Sequence, residues 1–453
     1  MENLPPLAVR TLKVEKSKKV WQSSSVKNQT LSDESPLLLK TILNKRYPLK
    51  SHVYEHVEIC KVGSEDRLMV TIVPRSNGQK MCSGCDRKGC PGYDTLKTRQ
   101  VEFIPILGMK TFFCFTPRRV NCPQCGPTVE ALPWVNGKST ISVPLMLMFS
   151  YWARLISYSG VGKAFGATYK QVFEAVEYVV GWGLQNRDLS GITAIGIDEI
   201  QVKLGHVYMT LVYQIDVHCR RLLWMGEGRT EEVLDGFFDD FVGYISTIKY
   251  VCSDMWRAYL NVIRLRAPGA INILDRFHIV QNLNKAMDKV RREETQQLKA
   301  KGYEPYLTGT RWCFLKRLEN LTSKQADRLK ETLKYNLKST RAYLLKRDFD
   351  RLWTFNQPAR AGIFLDDWGK TVMYSKITPL KKFARSMRRH KPLILNYFKA
   401  KKQFSSGAVE GMNSYAKLAM RKSFGFKTEK ALRITLFHQL GNLPEPKLTH
   451  RLW

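Results

Sequence analysis

Ile192-Thr-Ala-Ile-Gly-Ile-Asp198 and Ile248-Lys-Tyr-Val-Cys-Ser-Asp254 decide the fold. Each is a short apolar run closed by an aspartate. Around them, Thr193–Val202, His206–Asp216 and Arg221–Gly226 read as three strands, because apolar and β-branched residues recur between turn residues. A helix is predicted over Thr230–Val242, opened by Thr230-Glu-Glu. A fourth strand, Lys249–Ser253, leads to Asp254. A helix over Arg257–Leu265, a Pro268-Gly269 turn and a fifth strand, Ala270–Leu274, follow. The order is βββ-α-β-α-β. Three opening strands suit an antiparallel meander, and crossover helices make the later pairings parallel, so the sheet is mixed.

That order predicts a ribonuclease-H-like α/β core over 190–278, in which the first and fourth strands are neighbours and Asp198 faces Asp254. A third acid, Glu410, lies far downstream in Ser405-Ser-Gly-Ala-Val-Glu410-Gly. From 279 to 402 the chain is helical in composition and rich in Lys and Arg, and 403–453 returns to apolar helical spacing. Carboxylates that end buried strands are costly unless a cation joins them. The chain has 453 residues, 73 basic against 40 acidic, for a net charge of +33. So basic a chain points to nucleic acid as partner. A membrane is disfavoured: the longest apolar stretch, Ile141 to Leu155, is broken by Ser150 and Arg154 and falls short of the ~20 residues a span needs. The N-terminus has no charged-then-apolar signal design, so a cytoplasmic, reducing compartment is expected.

Four of the ten cysteines are paired as Cys82-x-x-Cys85 and Cys122-x-x-Cys125. In a reducing compartment that spacing suits a closed, four-thiolate structural Zn²⁺ site within a zinc-ribbon-like module over 51–135. No histidine lies between residues 57 and 205, and Cys90 is an alternative ligand. Two apolar runs between the pairs, Val101 to Leu107 and Thr111 to Phe115, are read as a β-hairpin. Residues 1–50 are read as a basic, flexible arm with some helix near 36–43. Over 140–188, Gly160-Val-Gly-Lys-Ala-Phe-Gly166 followed by a Thr168-capped segment reads as a helix-turn-helix, its second helix beginning Tyr-Lys170. Ordinary helical packing gives the same pattern.

Phosphodiester cleavage needs an activated water, a stabilised leaving oxygen and relief of phosphate charge. Two Mg²⁺ (or Mn²⁺) ions roughly 3.5–4 Å apart supply all three. In that scheme Asp198 bridges both ions, Asp254 holds one and Glu410 the other. Taken singly, each acid could cap a helix or close a turn. Glu199 is a weaker candidate, because it points to the opposite face of its strand. Ten basic residues and no acid lie between Thr371 and Val409. Of these, Lys381, Lys382, Arg388, Arg389, Lys401 and Lys402, with Arg118, Arg119, Lys138 and Lys170, are candidates for phosphate contact. Trp312, Trp353 and Trp368 are core residues by default, although one could stack on a flipped base.

Ile195-Gly-Ile-Asp198-Glu-Ile, Gly205-His-Val-Tyr208, Cys252-Ser-Asp254-Met-Trp-Arg-Ala-Tyr259, Asp275-Arg-Phe-His278 and Ser406-Gly-Ala-Val-Glu410-Gly-Met-Asn413 occur in this order. As a set they resemble the bacterial DDE transposases of the ISL-three insertion-sequence family. The closing stretch Lys417-Leu-Ala-Met-Arg421-Lys-Ser-Phe-Gly425-Phe resembles it too, and adds Arg421 to the DNA-facing candidates. The resemblance implies a catalytic triad of Asp198, Asp254 and Glu410, and a helical insertion ahead of the last acidic helix. It also implies that His278 contacts DNA or positions the scissile phosphate. The implied function is metal-dependent cleavage and strand transfer at the terminal inverted repeats of the element, with double-stranded DNA as partner and a dimer or larger assembly. The competing readings are a catalytically inactive DNA-binding regulator and a structure-specific nuclease on the same fold.

Overall fold

The computed structural model describes residues 34–447, apart from 204, 206, 304, 305, 405, 406 and 424. The expected flexible arm falls largely outside these residues. Its described part is a helix, α1 (Glu34–Arg46), packed on the first strand, with Leu43 and Leu49 buried. The chain divides into two compact units: the described residues before 102 with 105–132, and 102–104 with 133 onward.

In the first unit, β1 (His52–Val62) and β2 (Glu65–Pro74) form an antiparallel hairpin. A short strand, β3 (Gly92–Thr95), comes next, then the expected hairpin, β4 (Arg99–Ile106) and β5 (Met109–Phe115). Leu107 and Gly108 both have positive φ, 51° and 81°, which matches the twist of a two-residue hairpin turn. The hairpins join through parallel β2 and β5 into a sheet of order β1-β2-β5-β4. β6 (Arg118–Cys122) pairs with both β3 and β7 (Gly126–Val129) in a second, small sheet that carries Cys122.

The second unit opens with α2 (Val143–Leu155), α3 (Tyr158–Phe165) and α4 (Tyr169–Asn186). Gly166 ends α3 in the left-handed conformation (φ 63°), and Thr168 and Gln171 form a reciprocal capping box on α4. β8 (Ala194–Lys203), β9 (Val207–Asp216) and β10 (Cys219–Glu227) form the meander. α5 (Glu231–Asp240), β11 (Tyr250–Ser253), α6 (Arg257–Arg266) and β12 (Ile271–Leu274) complete a mixed five-stranded sheet of order β10-β9-β8-β11-β12. β11 lies between β8 and β12 and runs parallel to both. Ile195, Ile197 and Val251 bury one face against Leu234, Phe237, Phe238, Tyr259 and Val262.

A helical block follows: α7 (Arg276–Ala300), α8 (Arg311–Leu315), α9 (Ser323–Leu333), α10 (Lys338–Asp350), α11 (Pro358–Tyr374), α12 (Thr378–Arg389) and α13 (Lys391–Lys399). Its core is aromatic. Phe349 meets Trp368 at 4.7 Å and Phe383 at 5.3 Å between ring centroids. Trp353 and Trp368 are buried, so of the three tryptophans considered above only Trp312 is exposed. α13 returns to β12, where Asn396 Nδ2 donates to the Asn272 carbonyl at 2.8 Å. Last come α14 (Gly407–Lys422) and α15 (Glu429–Leu440). α15 touches both β10 and α4, and buried bonds tie it to the first helices: Ser150 Oγ to His438 Nε2 at 2.9 Å, and Tyr158 Oη to Thr435 Oγ1 at 3.1 Å. The helices read as a helix-turn-helix therefore pack against the last helix of the same unit.

Candidate active site and cysteine cluster

Register places the acids. Val251 pairs with Ile195 and Cys252 with Gly196, so Asp254 and Asp198 each lie two residues further along neighbouring parallel strands. Cys252 also pairs with Ile273, which puts Asp275 in the same position on β12. Side chains alternate along a strand, so all three aspartates come to one face at one edge of the sheet. α14 covers that face. A Cβ on Gly196 would lie 2.3 Å from Val409 Cγ2, so only glycine lets the helix sit this close to β8. One turn on, Asn413 Nδ2 donates to Asp198 Oδ2 at 2.6 Å, and Asn413 Oδ1 accepts from Tyr213 Oη at 2.7 Å. The other Asp198 oxygen accepts the Glu199 N–H at 2.9 Å. Glu410 stands in the first turn of α14, next to Val409, and is exposed.

The electrostatics follow from this crowding. Burial, with Asp254 and Asp275 nearby, pushes Asp198 up to about 6. Burial also raises Asp254 above the usual carboxylate range, with Asp275 adding to the effect. Glu199 is pushed up to about 7 by burial and by Asp254 and Asp198. His278 opposes the rise at all three acids, and its Nε2 stands 3.6 Å from Asp275 Oδ2. Asp254 also makes the helix-opening contact expected of it, accepting the Trp256 N–H at 2.8 Å. Asp198, Asp254 and Glu410 are not drawn within 4.8 Å of one another; among the described residues only the cysteines form so tight a group. Hard carboxylate oxygens whose ionised forms repel one another are a fitting donor set for divalent cations.

Cys82, Cys85, Cys122 and Cys125 place their sulfurs within 4.8 Å of one another. Gly84 N donates to Cys82 Sγ at 3.3 Å, and the backbone N–H groups of Cys125 and Gln124 pull the Cys122 thiol down to about 6. A Cβ on Gly84 would sit 3.2 Å from Cys125 Sγ, so a larger residue in the first knuckle would crowd that sulfur. Cys90 packs beside the group but lies outside it, its thiol directed to the Arg87 carbonyl at 3.4 Å. Four convergent thiols with N–H···S support suit a tetrahedral Zn²⁺.

The expected phosphate contacts fare unequally. Arg118 is held by both oxygens of buried Glu130, at 2.8 and 2.7 Å. Arg119 is forked onto Asp94 and lies 5.0 Å over the Tyr93 ring. Both guanidinium groups are thus engaged by acids of the same small module. Lys402 Nζ is bonded to Asn356 Oδ1 at 2.8 Å and to the Trp353 carbonyl at 3.2 Å. Lys382, Arg385, Arg388 and Arg389 line the exposed face of α12, whose other face is buried Leu380, Phe383, Ala384 and Met387. Neither these four nor Lys381 makes an ion pair among the described residues. Lys401 and Arg421 are exposed. Lys170 is exposed in the first turn of α4, in a loose pair with Glu174 at 3.8 Å. Asp275 and Asn413 were not among the sequence candidates. Asp275 carried the same signal as the two chosen aspartates, an apolar run ending in an acid, and Asn413 falls one helical turn after Glu410.

A mixed sheet with acids at the ends of parallel strands, under a helix that carries another, makes a candidate metal-dependent active site on an α/β fold. Residues 195–436 match the family described as Transposase, of the ISL3 type, and the chain belongs to these DDE transposases of bacterial insertion sequences. It is 27% identical over 354 residues to the transposase for insertion sequence element IS1001 of Bordetella parapertussis, covering 77% of this chain and 86% of that one. It is also 27% identical over 415 residues to the transposase for insertion sequence element IS1557 of Mycobacterium tuberculosis, covering 84% and 91%. Among solved structures, the Drosophila P element transposase strand transfer complex aligns with 65% of this chain and 92% of that one, at 8% identity and a TM-score of 0.37. No helix among the described residues is long and apolar enough to cross a membrane.

Proposed function

We propose that this transposase binds the terminal inverted repeats of its own insertion sequence, cuts the DNA there and joins the released end to target DNA. The observation that carries this is the convergence of Asp198 and Asp254 on one face of the sheet, beneath the helix that bears Glu410. Asp198, Asp254 and Glu410 would hold two Mg²⁺ or Mn²⁺ ions, which when bound activate water and offset phosphate charge. Asn413 fixes one oxygen of Asp198, so the carboxylate keeps its aim in either protonation state. His278, whose Nε2 stands 3.6 Å from Asp275 Oδ2, would contact the DNA or position the scissile phosphate. Water attacks phosphorus and the 3′-oxygen leaves as a hydroxyl. That 3′-hydroxyl then attacks a phosphorus of the target, displacing the target's own 3′-oxygen.

The first turn of α4 is the part offered to a groove. Tyr169, Lys170 and Gln171 lead, whereas Glu174 and Glu177 further along would repel phosphates. The two cysteine knuckles would hold Zn²⁺ and shape the first unit for reading the element ends. The unpaired basic side chains of α12, with Lys401 and Arg421, would track the backbone. Two ends must meet for joining, so the acting form would be a dimer or larger.

The reading is tested by nicking of labelled end DNA in Mg²⁺, Mn²⁺ or Ca²⁺, beside a scrambled duplex. Cleavage at the end sequence in Mg²⁺ or Mn²⁺ supports it. Sequence-specific binding without cleavage in any metal would instead favour a regulator.

A further inference from the structure

One side chain at this sheet edge has no part in the scheme above. β10 runs antiparallel to β9, and β9 antiparallel to β8, so β10 ends at the same edge as the aspartates. Two residues past its end stands Arg229. Its guanidinium carbon lies 4.3 Å from the Tyr208 ring centre and 4.9 Å from that of Trp256. The cation is thus engaged by aromatic rings from two different elements. The clamp is anchored by backbone bonds. Trp256 Nε1 donates to the Arg229 carbonyl at 3.0 Å, Gly228 N donates to the Tyr208 carbonyl at 2.8 Å, and Thr210 Oγ1 donates to the Gly228 carbonyl at 2.7 Å. Gly228 itself has φ +98°, a conformation that L side chains rarely adopt.

Stacking uses the faces of a guanidinium and leaves its N–H edges for a planar or tetrahedral anion. The acid paired with Arg229 does not take them well. Glu199 Oε1 stands 3.9 Å from Nη1, beyond hydrogen-bond distance, and Glu199 Oε2 is buried without a partner. A pair built only for stability would close into a fork, as Arg118 does on Glu130. Here the cation is held by aromatic rings at the rim of an acidic site, and its one acid partner leaves the fork open.

We propose that Arg229 is a phosphate-binding residue: its N–H edge receives the non-bridging oxygens of a backbone phosphate next to the scissile one, with Tyr208 and Trp256 fixing its direction. The inference rests on the DNA-cutting reading of the same site. It adds a fixed cation where a polyanion must pass carboxylates, and it sets on which side of the acids the strand continues. Because the contact is to backbone, it positions DNA and reads no sequence.

The test couples a protein change to a DNA change. Full-length wild type, Arg229→Gln and Arg229→Lys are compared on end duplexes in which each phosphate flanking the scissile bond is in turn a neutral methylphosphonate. The expected result is a loss of cleavage of about 10- to 100-fold for Arg229→Gln on natural DNA, the size expected of one charge-assisted hydrogen-bonded contact. At one flanking position the methylphosphonate slows wild type by a similar factor and slows Arg229→Gln no further. Arg229→Lys, which keeps the charge without the fork, falls between. The salt slope of end binding drops by about one for Arg229→Gln. Additive losses at every position, in both variants, would overturn the assignment and leave Arg229 as a counter-ion for Glu199. Wild type that neither binds nor cuts natural end DNA would refute the DNA-cutting reading itself, and this inference with it.

Discussion

Asp198 is the most constrained carboxylate of the site, and its environment makes two predictions. Its pKa in the folded chain, about 6, lies above the usual value near 3.8. A raised carboxyl favours the protonated fold, and its contribution declines once the unfolded chain begins to ionise. That contribution is complete below the unfolded value and is lost as pH rises through about 6. At pH 8 without divalent metal, Asp198→Asn should therefore raise stability, by on the order of 1–3 kcal/mol. At pH 4 the gain should shrink, and a thermal melt at both pH values reads the difference. Added Mg²⁺ should stabilise wild type and leave Asp198→Asn unmoved. The second prediction concerns Asn413→Ala. It leaves Asp198 Oδ2 and the Tyr213 hydroxyl unpaired in a buried place, at a cost of about 1–3 kcal/mol. Cleavage should fall more than tenfold while end binding in a gel shift stays near wild type; equal losses in both would make Asn413 a residue of general stability. At this scale the aspartates were legible, because each ends an apolar run in a basic chain. The partners of Arg118 and Arg119 were not: Glu130 and Asp94 lie 12 and 25 residues away, and only the folding of the small sheet brings them together. Arg229 was hidden for the same reason. It is a turn residue whose two rings come from β9 and the loop before α6.

The elements of the core were largely legible. An apolar run bounded by turn residues gives a strand, and β8 to β12 fall within a few residues of expectation. The side of the sheet that bears Ile195 and Ile197 explains why: burial under α5 and α6 demands the apolar runs that the sequence shows. What spacing could not supply is the depth of packing between α2–α4 and α15, since Ser150 and His438 lie 288 residues apart. In the first unit, the spacing of the cysteines pointed to the knuckles, and the structure separates Cys90 from the four convergent thiols. Purified protein should carry one Zn²⁺ per chain by native mass spectrometry. Cys122→Ser should lose it and expose the first unit to proteolysis, while Cys90→Ser should keep it. Retention of metal by Cys122→Ser would place the zinc elsewhere. α12 makes a prediction of its own. Replacing Lys382, Arg388 and Arg389 together by Ala removes three unpaired cations from one exposed face. The slope of log affinity against log salt should fall by roughly three, with sequence preference retained. An unchanged slope would mean that the face is simply solvated.

At the scale of the molecule, a net charge of +33 coexists with a site built from carboxylates. The contrast suits an enzyme whose surface gathers a polyanion and whose acids wait for cations to accompany it. Membership in the ISL3-type transposases covers residues 195–436, so it rests on the sheet, the helical insertion and the last acidic helix together. Asp198, Asp254 and Glu410 are proposed to act as one site for cutting and joining. The most direct measurement is strand transfer in vitro, joining of the element's own end DNA to a plasmid target in Mg²⁺. Wild type is compared with Asp198→Ala, Asp254→Ala and Glu410→Ala. Nicking and joining should vanish in each variant while end binding survives in all three. Cleavage that persists when all three acids are replaced together would contradict the proposal and place the chemistry elsewhere in the chain.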